Sequence, residues 1–225
     1  MAEIAPSVLG ADFSRLAEEI VDADRLGVDM FHLDIMDGRF APNISFGPGI
    51  VKTIDRLTDR FLDVHLMLSR PEEYFDAFHR AGADSITFHI EIHPDPTEIV
   101  RRIRNLGLKA GISLNPDMPV EKVLPYLQLF DYLLIMSVFP GFGGQEFIEA
   151  TLPKITAARR YIDSEGLSAK IQVDGGIDNH NAETVAGAGA DILVIGTAFF
   201  GSTDRRDLVS QVHEYHYPPT RNTSG

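Results

Sequence analysis

Two histidines and two aspartates in otherwise apolar segments are the first candidates for chemistry. His32 and Asp34 lie two positions apart in one segment, so their side chains share a face if that segment is a β-strand. His65 and Asp174 lie in two further apolar segments. For His32 and Asp34 alone, a buried hydrogen-bonded pair explains the pattern as well as a metal site does. Together, the four residues suit one divalent ion: zinc, iron(II), manganese or cobalt.

Glycine-rich segments directly follow three of the apolar segments in the second half of the chain. Glycine lets backbone N–H groups close on an anion, so a phosphate can be bound without lysine or arginine. A tight turn explains any one of these segments, but three in succession favour a phosphate site. The residues concerned are Gly141, Phe142, Gly143, Gly144, Gly175, Gly176, Gly196 and Thr197.

Further side chains at the ends of apolar segments have structural explanations of their own. Methionine in a strand usually belongs to the core. Because Met36, Met67 and Met136 all lie at strand ends, they predict an apolar lining around the reacting carbons of a bound substrate. His89 also ends an apolar segment. We interpret His89, and Glu91 after it, as supporting or core residues rather than as further ligands.

The elements that must position these residues are indicated by an alternation along the chain. Short apolar segments alternate with amphipathic segments at helical spacing, which is typical of parallel strands joined by helices. A doubly wound sheet would carry a G-x-G-x-x-G fingerprint after its first strand, and no such fingerprint follows the first strand here. We therefore predict a single (β/α)8 TIM barrel, in which chemistry gathers at the carboxyl ends of the strands. The predicted strands are 4–8, 30–34, 62–66, 85–89, 109–113, 132–136, 170–173 and 192–195.

Local signals mark several helix ends. Asp12 is a plausible N-cap, and Ser69 with Glu72 forms a capping-box pattern that predicts a helix start. Glycines that follow helical patterns predict left-handed C-caps before five strands. These glycines are Gly27, Gly82, Gly107, Gly166 and Gly189.

The bulk composition narrows the classes of function. The chain has 225 residues, which predicts one barrel domain over 1–215 and a flexible, polar C-terminal tail over 216–225. The net charge of -13 argues against nucleic acid and anionic membrane surfaces as partners. There are no cysteines, so a metal must be held by histidine and carboxylate. We expect a cytoplasmic protein without a signal peptide, anchor or presequence.

Seven segments carry a resemblance to a known family. They include His-Leu-Asp-Ile-Met-Asp-Gly at 32–38 and Pro-Gly-Phe-Gly-Gly-Gln at 140–145, together with 5–12, 42–43, 63–67, 136–138 and 173–177. In these motifs and their order, the chain resembles the ribulose-phosphate 3-epimerase family over nearly its whole length. Two departures stand beside the match: Phe139, where a polar residue is expected, and the segment 197–200.

The resemblance implies a TIM barrel of the ribulose-phosphate-binding type and a specific reaction. Members of the family interconvert D-ribulose 5-phosphate and D-xylulose 5-phosphate through a cis-enediolate, with one divalent metal and no organic cofactor. His32, Asp34, His65 and Asp174 correspond to the metal ligands, and Asp34 and Asp174 also to the acid–base pair. Ser7, His65 and Asp174 correspond to substrate-binding residues, and the glycine-rich segments to the phosphate site. A homo-oligomer, dimer or hexamer, is implied as well.

Three other functions compete with this one. A D-allulose-6-phosphate 3-epimerase would share the fold, the metal and the carboxylates. A metal-dependent hydrolase commonly carries His-x-His on its first strand, where this chain offers only Ser7. A sugar-phosphate binding module built on a barrel that has lost its catalytic activity would have no need for an intact set of four metal ligands.

Overall fold

Eight parallel β-strands form one sheet in the computed structural model, which describes residues 1–217. They are β1 (Glu3–Pro6), β2 (Met30–Met36), β3 (Phe61–Met67), β4 (Ser85–His89), β5 (Lys109–Leu114), β6 (Tyr132–Met136), β7 (Lys170–Asp174) and β8 (Ile192–Ile195). Their order is β1-β8-β7-β6-β5-β4-β3-β2. A parallel bridge between Ser7 and His32 joins the two ends of the sheet and closes the barrel. The predicted (β/α)8 fold is confirmed.

Helices connect the strands on the outside of the barrel. They are α1 (Leu16–Arg25), α2 (Pro48–Asp55), α3 (Phe75–His79), α4 (Thr97–Asn105), α5 (Leu152–Glu165), α6 (Ala182–Gly187), α7 (Thr197–Phe200) and α8 (Arg205–Glu214). Two 3-10 helices, Val120–Lys122 and Leu124–Leu129, connect β5 to β6. Within the described residues, none of the helices has the length and apolar character that crossing a membrane requires. Of the predicted tail at 216–225, all residues from 218 onward lie outside the described part of the chain.

The first strand is shorter than predicted. It ends at Pro6 rather than at residue 8, because the chain turns into a 3-10 helix over Val8–Gly10. This turn brings Gly10 so close to the β8 loop that a Cβ on Gly10 would lie 2.7 Å from the Gly196 carbonyl carbon. The early end of β1 therefore packs the first loop against the last one.

The two predicted helix caps have different outcomes. Asp12 accepts a hydrogen bond from the Ser14 N–H, but it caps the 3-10 turn Phe13–Arg15 that precedes α1 rather than α1 itself. The capping box at Ser69 is wrong. The hydroxyl and N–H of Ser69 both donate to Asp37 in the β2 loop, at 2.7 and 2.8 Å, so tertiary contact outcompetes the local cap.

The predicted glycine C-caps are confirmed, and they belong to a larger repeat at the amino-terminal end of the barrel. All five glycines have left-handed backbone, with φ between 62° and 120°. An aspartate immediately precedes each even-numbered strand and accepts an N–H from the preceding odd-numbered strand. The pairs are Asp29 with Ile4, Asp84 with Leu62, Asp131 with Ala110, and Asp191 with Ile171, at 2.7–2.9 Å.

Among the described residues, apolar packing forms one large core and three smaller clusters, and the candidate site lies at the carboxyl ends of the strands. The main core lies between the sheet and the helices and includes the fully buried Phe31, Phe78 and Phe88. A smaller cluster inside the barrel consists of Ala5, Met30, Ile192 and Val194. Beside it, the interior is polar along much of the strand length, from Ser85 at the start of β4 to His89 at its end. Its fully or almost fully buried polar residues are His32, Asp34, Asp63, His65, Ser85, Thr87, His89, Ser113 and Gln172.

The aspartate repeat predicts a difference between two substitutions at one position. In Asp84→Ala, the Leu62 N–H loses its acceptor, and we expect the free energy of unfolding to fall by about 1 kcal/mol. Asp84→Asn keeps an acceptor oxygen. Burial and the nearby Asp55 raise the pKa of Asp84, so its charge disfavours the fold and Asn is expected within about 0.5 kcal/mol of wild type. Urea unfolding at pH 7 measures both; equal losses would contradict the repeat's role.

Candidate active site

A cavity of about 430 Å³ opens at the carboxyl ends of the strands. Ser7, Asp34 and Asp174 line it, whereas His32 and His65 are fully buried and do not. The substrate-binding role predicted for His65 therefore stays a prediction. The remaining residues predicted for the phosphate site and the apolar lining all line the cavity: Gly141, Phe142, Gly143, Gly144, Gly175, Gly176, Gly196, Thr197, Met36, Met67 and Met136.

The four predicted metal ligands come together in one cluster, in which His32, Asp34 and His65 are buried and Asp174 is partly buried. His32 and Asp34 project from β2, His65 from β3 and Asp174 from the end of β7. Each offers one ligand atom, and these atoms all lie within 4.8 Å of one another. The strand register explains part of this, because Asp34 and His65 are paired residues of neighbouring strands.

Hydrogen bonds to a buried carboxylate determine which nitrogen of His32 faces the cluster. His32 Nδ1 lies 2.8 Å from Asp63 Oδ2. Asp63 also accepts from Ser85 Oγ at 2.5 Å and from Gln172 Nε2 at 2.6 Å, and these bonds together keep its pKa low despite its burial. An ionised carboxylate only accepts, so Nδ1 of His32 must donate. The Nε2 atom of His32 is then left to face the cluster.

A longer series of contacts orients His65, which faces the cluster with Nδ1 where His32 uses Nε2. His65 Nε2 lies 2.9 Å from His89 Nε2, and His89 Nδ1 lies 3.2 Å from Glu91 Oε2. Glu91 Oε1 accepts the Asn115 N–H at 2.8 Å. Because the Glu91 carboxylate accepts from His89 Nδ1, the His89 Nε2 atom of a neutral ring accepts from His65. His65 then carries its proton on Nε2, and its Nδ1 lone pair faces the cluster.

Three lone-pair atoms consequently meet at one point. His32 Nε2 and His65 Nδ1 each lie 3.2 Å from Asp34 Oδ1, and they lie 3.3 Å from each other. Such an arrangement requires a positive charge at its centre, and two imidazoles with carboxylates fit a divalent ion of the zinc, iron(II), manganese or cobalt type. A proton can serve instead. Burial acts to lower the pKa of His32, but Asp34 and Asp63 raise it well above its usual value.

The two aspartates of the cluster have opposite protonation preferences. Burial acts to raise the pKa of Asp34, but the charges and hydrogen bonds of His32 and His65 lower it far below its usual value. Ser7 Oγ donates to the other oxygen of Asp34 at 2.6 Å. Burial, followed by the negative charge of Asp34, raises the pKa of Asp174 to about 7. One ionised and one protonated carboxyl group in the same site are what acid–base chemistry requires.

The loops around the cavity are held by side-chain amides that donate to backbone carbonyls and by close glycine packing. Gln145 Nε2 donates to the carbonyls of Phe139 and Phe142, both at 2.9 Å. Asn43 Nδ2 donates to the Gly141 carbonyl at 2.7 Å and so ties the β2 loop to the β6 loop. Gly175 has φ of 120° and packs against Val138, where a Cβ would lie 2.8 Å from the Val138 nitrogen. Glycine is thus required at this position for both conformation and space.

Several residues of the site were not predicted from the sequence. Asp63, with Ser85 and Gln172, supports His32 from inside the barrel, and Asp178 and Asn181 line the cavity from the β7 loop. A signal for Asp63 was present, because Asp63 and His65 stand two positions apart in an apolar segment, as His32 and Asp34 do.

Comparisons with known proteins agree with this geometry. A family model described as the ribulose-phosphate 3 epimerase family matches residues 3–200. The chain is 44% identical over 213 residues to a Bacillus subtilis protein named ribulose-phosphate 3-epimerase, covering 94% of this chain and 98% of the relative. It is 47% identical over 217 residues to a Synechocystis protein of the same name, covering 96% and 94%.

Solved structures share the fold at lower identity. Thiamine phosphate pyrophosphorylase from Pyrococcus furiosus superposes with a TM-score of 0.64 at 21% identity, covering 94% of this chain and 93% of that one. A 3-hexulose-6-phosphate synthase superposes with a TM-score of 0.64 at 16% identity, covering 94% and 95%. At these identities, the likeness shows the barrel fold and nothing about the reaction.

The raised pKa of Asp174 predicts a pH-dependent stability in protein stripped of metal by chelation. Because the folded pKa of about 7 lies above the usual 3.8, the native state loses stability as pH rises from about 4 through 7. Asp174→Asn removes this loss, and we expect it to raise the free energy of unfolding at pH 8 by about 1 to 3 kcal/mol. Urea unfolding at pH 5 and pH 8 measures the effect; a variant with the wild-type pH slope would contradict it.

Proposed function

Because the chain belongs to the ribulose-phosphate 3-epimerase family, we propose that it interconverts D-ribulose 5-phosphate and D-xylulose 5-phosphate by moving a proton at C3. The epimerase assignment itself follows from the family match over residues 3–200. The observation that carries the proposed mechanism is the pair Asp34 and Asp174, which line one cavity and have ligand atoms within 4.8 Å of each other.

The reaction explains why two carboxyl groups are needed. The C3 proton is acidic because C3 adjoins the C2 ketone, and its removal leaves a planar cis-enediolate. Inversion requires a proton to return on the opposite face, where a single base does not reach. We assign Asp34 as the acceptor and Asp174 as the donor in the direction from ribulose to xylulose, with the roles exchanged in reverse. In the absence of a bound ion, the pKa of Asp34 is lowered and that of Asp174 is raised, which is the same order as in these starting states.

We propose His32, Asp34, His65 and Asp174 as the ligands of one divalent metal ion, on the strength of their convergent lone pairs. When bound, such an ion supplies positive charge that stabilises the negative charge developing on the C2 and C3 oxygens. The protein's own part is to hold both carboxyl groups at fixed positions. Ser7 contributes by donating to Asp34 Oδ2, which leaves the Asp34 Oδ1 atom turned towards the two histidines.

The rest of the cavity is proposed to bind and shield the substrate. The glycine-rich loops after β6, β7 and β8 present backbone to a phosphate, which supplies binding energy far from C3. The methionines Met36, Met67 and Met136 exclude water from the reacting carbons. The cytoplasmic location and the homo-oligomeric state, dimer or hexamer, stay predictions.

Substitution of either aspartate should abolish the reaction without abolishing the fold. Asp34→Asn and Asp174→Asn keep the side-chain size but cannot accept a proton, and we expect kcat to fall by about a hundredfold or more. The measurement is deuterium incorporation at C3 of D-ribulose 5-phosphate in D2O, followed together with formation of D-xylulose 5-phosphate. Asp163→Asn, on the exposed side of α5, is the matched control and should retain wild-type kcat.

The same assay separates the competing functions. Running it in parallel with D-allulose 6-phosphate compares kcat/KM for the two sugars, and the proposal requires the pentose phosphate to be preferred. Near-normal turnover by Asp174→Asn would refute the acid–base assignment, and sugar hydrolysis without C3 exchange would favour the hydrolase.

Metal removal tests the ligand assignment directly. The lone-pair cluster needs a cation, so dialysis against a chelator should remove activity, and added zinc, iron(II), manganese or cobalt should restore it. Metal analysis of the purified protein before dialysis should find about one equivalent per chain. Full activity after complete metal removal would contradict the assignment, and His32→Ala, which lacks one ligand, should bind metal more weakly than wild type.

A further inference from the structure

Two residues in the contacts from His65 to Glu91, namely His89 and Glu91, have no role assigned in the proposed reaction. His89 and Glu91 lie on and just after β4, and neither lines the cavity. His89 is fully buried, and the Glu91 side chain is 17% exposed. A buried histidine placed between an imidazole and a carboxylate needs an explanation, because burial of such polar groups is costly unless every hydrogen bond is made.

We infer that His89 and Glu91 are positioning residues, which fix the tautomer of His65 so that its Nδ1 lone pair faces the metal site. The inference rests on the proposed function, because His65 is a proposed ligand. Glu91 accepts at both oxygens, from His89 and from the Asn115 N–H, which leaves His89 Nε2 as the acceptor for His65 Nε2. The donor–acceptor direction of both hydrogen bonds, His65 to His89 and His89 to Glu91, is therefore determined at Glu91.

Ring contacts help to hold His89 in place. The His89 and His65 rings are nearly coplanar, at 23° with centroids 5.0 Å apart, and they meet edge to edge through their Nε2 atoms. His89 also packs against the ring of Phe40, with centroids 4.5 Å apart. The Phe40 contact does not involve the nitrogens of His89, so it is retained when Glu91 is changed.

The proton position of His65 is determined less directly than that of His32. His32 donates directly to Asp63, a carboxylate that two further donors hold within the barrel. His65 reaches its carboxylate only through a second imidazole, which can exist in either tautomer. If Glu91 becomes glutamine, its amide N–H can donate to His89 Nδ1. The donor–acceptor direction of these hydrogen bonds then reverses. His65 Nε2 becomes the acceptor, and the proton lies on His65 Nδ1, where it opposes metal binding.

Glu91→Gln tests this directly, with Zn2+ as the probe. We expect the dissociation constant for Zn2+, measured by competition with a chromophoric chelator, to rise by about tenfold to a hundredfold. Long-range 1H–15N NMR is recorded on protein from which a chelator has removed the metal. It should show His65 protonated on Nε2 in the wild type and a substantial fraction protonated on Nδ1 in the variant. A role confined to packing would leave both the affinity and this spectrum unchanged.

The chain supplies a matched control for a glutamate–histidine pair. Glu72 and His93 form a similar contact at 3.0 Å, and neither contacts the cluster. Glu72→Gln should leave Zn2+ affinity and the His65 spectrum unchanged. At His89 itself, glutamine can still accept from His65 and donate to Glu91, whereas phenylalanine keeps only the ring. His89→Gln should therefore bind Zn2+ more tightly than His89→Phe, and this ranking remains informative if Glu91→Gln folds poorly.

The outcomes separate this inference from the proposed function. If wild type binds no Zn2+, the proposed metal site fails and the inference fails with it. If wild type binds Zn2+ and Glu91→Gln binds it equally well with an unchanged His65 spectrum, the inference alone is overturned. Weaker binding with a changed tautomer in Glu91→Gln, and neither effect in Glu72→Gln, supports it.

Discussion

The convergence of lone pairs from His32, His65 and Asp34 on one buried point is the constraint that shapes the upper half of the barrel. Three acceptor atoms within 3.3 Å repel one another unless a cation lies between them. Each imidazole must also carry its proton on the far nitrogen, so each needs a buried acceptor on its other side. Asp63 and the chain from His89 to Glu91 meet this requirement, and the polar interior of β2, β3, β4 and β7 follows from it.

A polar barrel interior is costly, and the rest of the fold offsets that cost. Each buried carboxylate loses several kcal/mol of hydration, which its hydrogen bonds only partly return. Stability must therefore come from elsewhere, and the apolar layer between the sheet and the helices is much the largest of the apolar clusters in the described residues. At the amino-terminal end, the aspartates before the even-numbered strands pair the strand N–H groups. Stability thus comes from the apolar layer around the sheet and from the amino-terminal end of the barrel, whereas the chemistry lies at the carboxyl ends of the strands.

Sequence reasoning succeeded where the signals are local and failed where the partners are distant. Strand positions, the glycine C-caps and the four cluster residues depend on periodicity and on which end of a strand a residue occupies. The bond from Gln172 to Asp63 joins residues 109 positions apart, and no spacing rule indicates it. Ser69 shows the same effect of a distant partner on a local prediction. Its sequence matches a capping box, but its hydroxyl donates to Asp37, 32 positions away, and so does not cap a helix.

The two departures from the family motifs can be judged by what the structure uses at those positions. Phe139 is half-exposed at the rim of the cavity, and its backbone carbonyl accepts a hydrogen bond from Gln145. A side-chain change there leaves the loop's internal bond intact. At Thr197, the hydroxyl lies so near Gly143 that a Cβ on that glycine would be 3.2 Å away. A larger residue at 143 would crowd this hydroxyl, so glycine at that position leaves room for the Thr197 side chain.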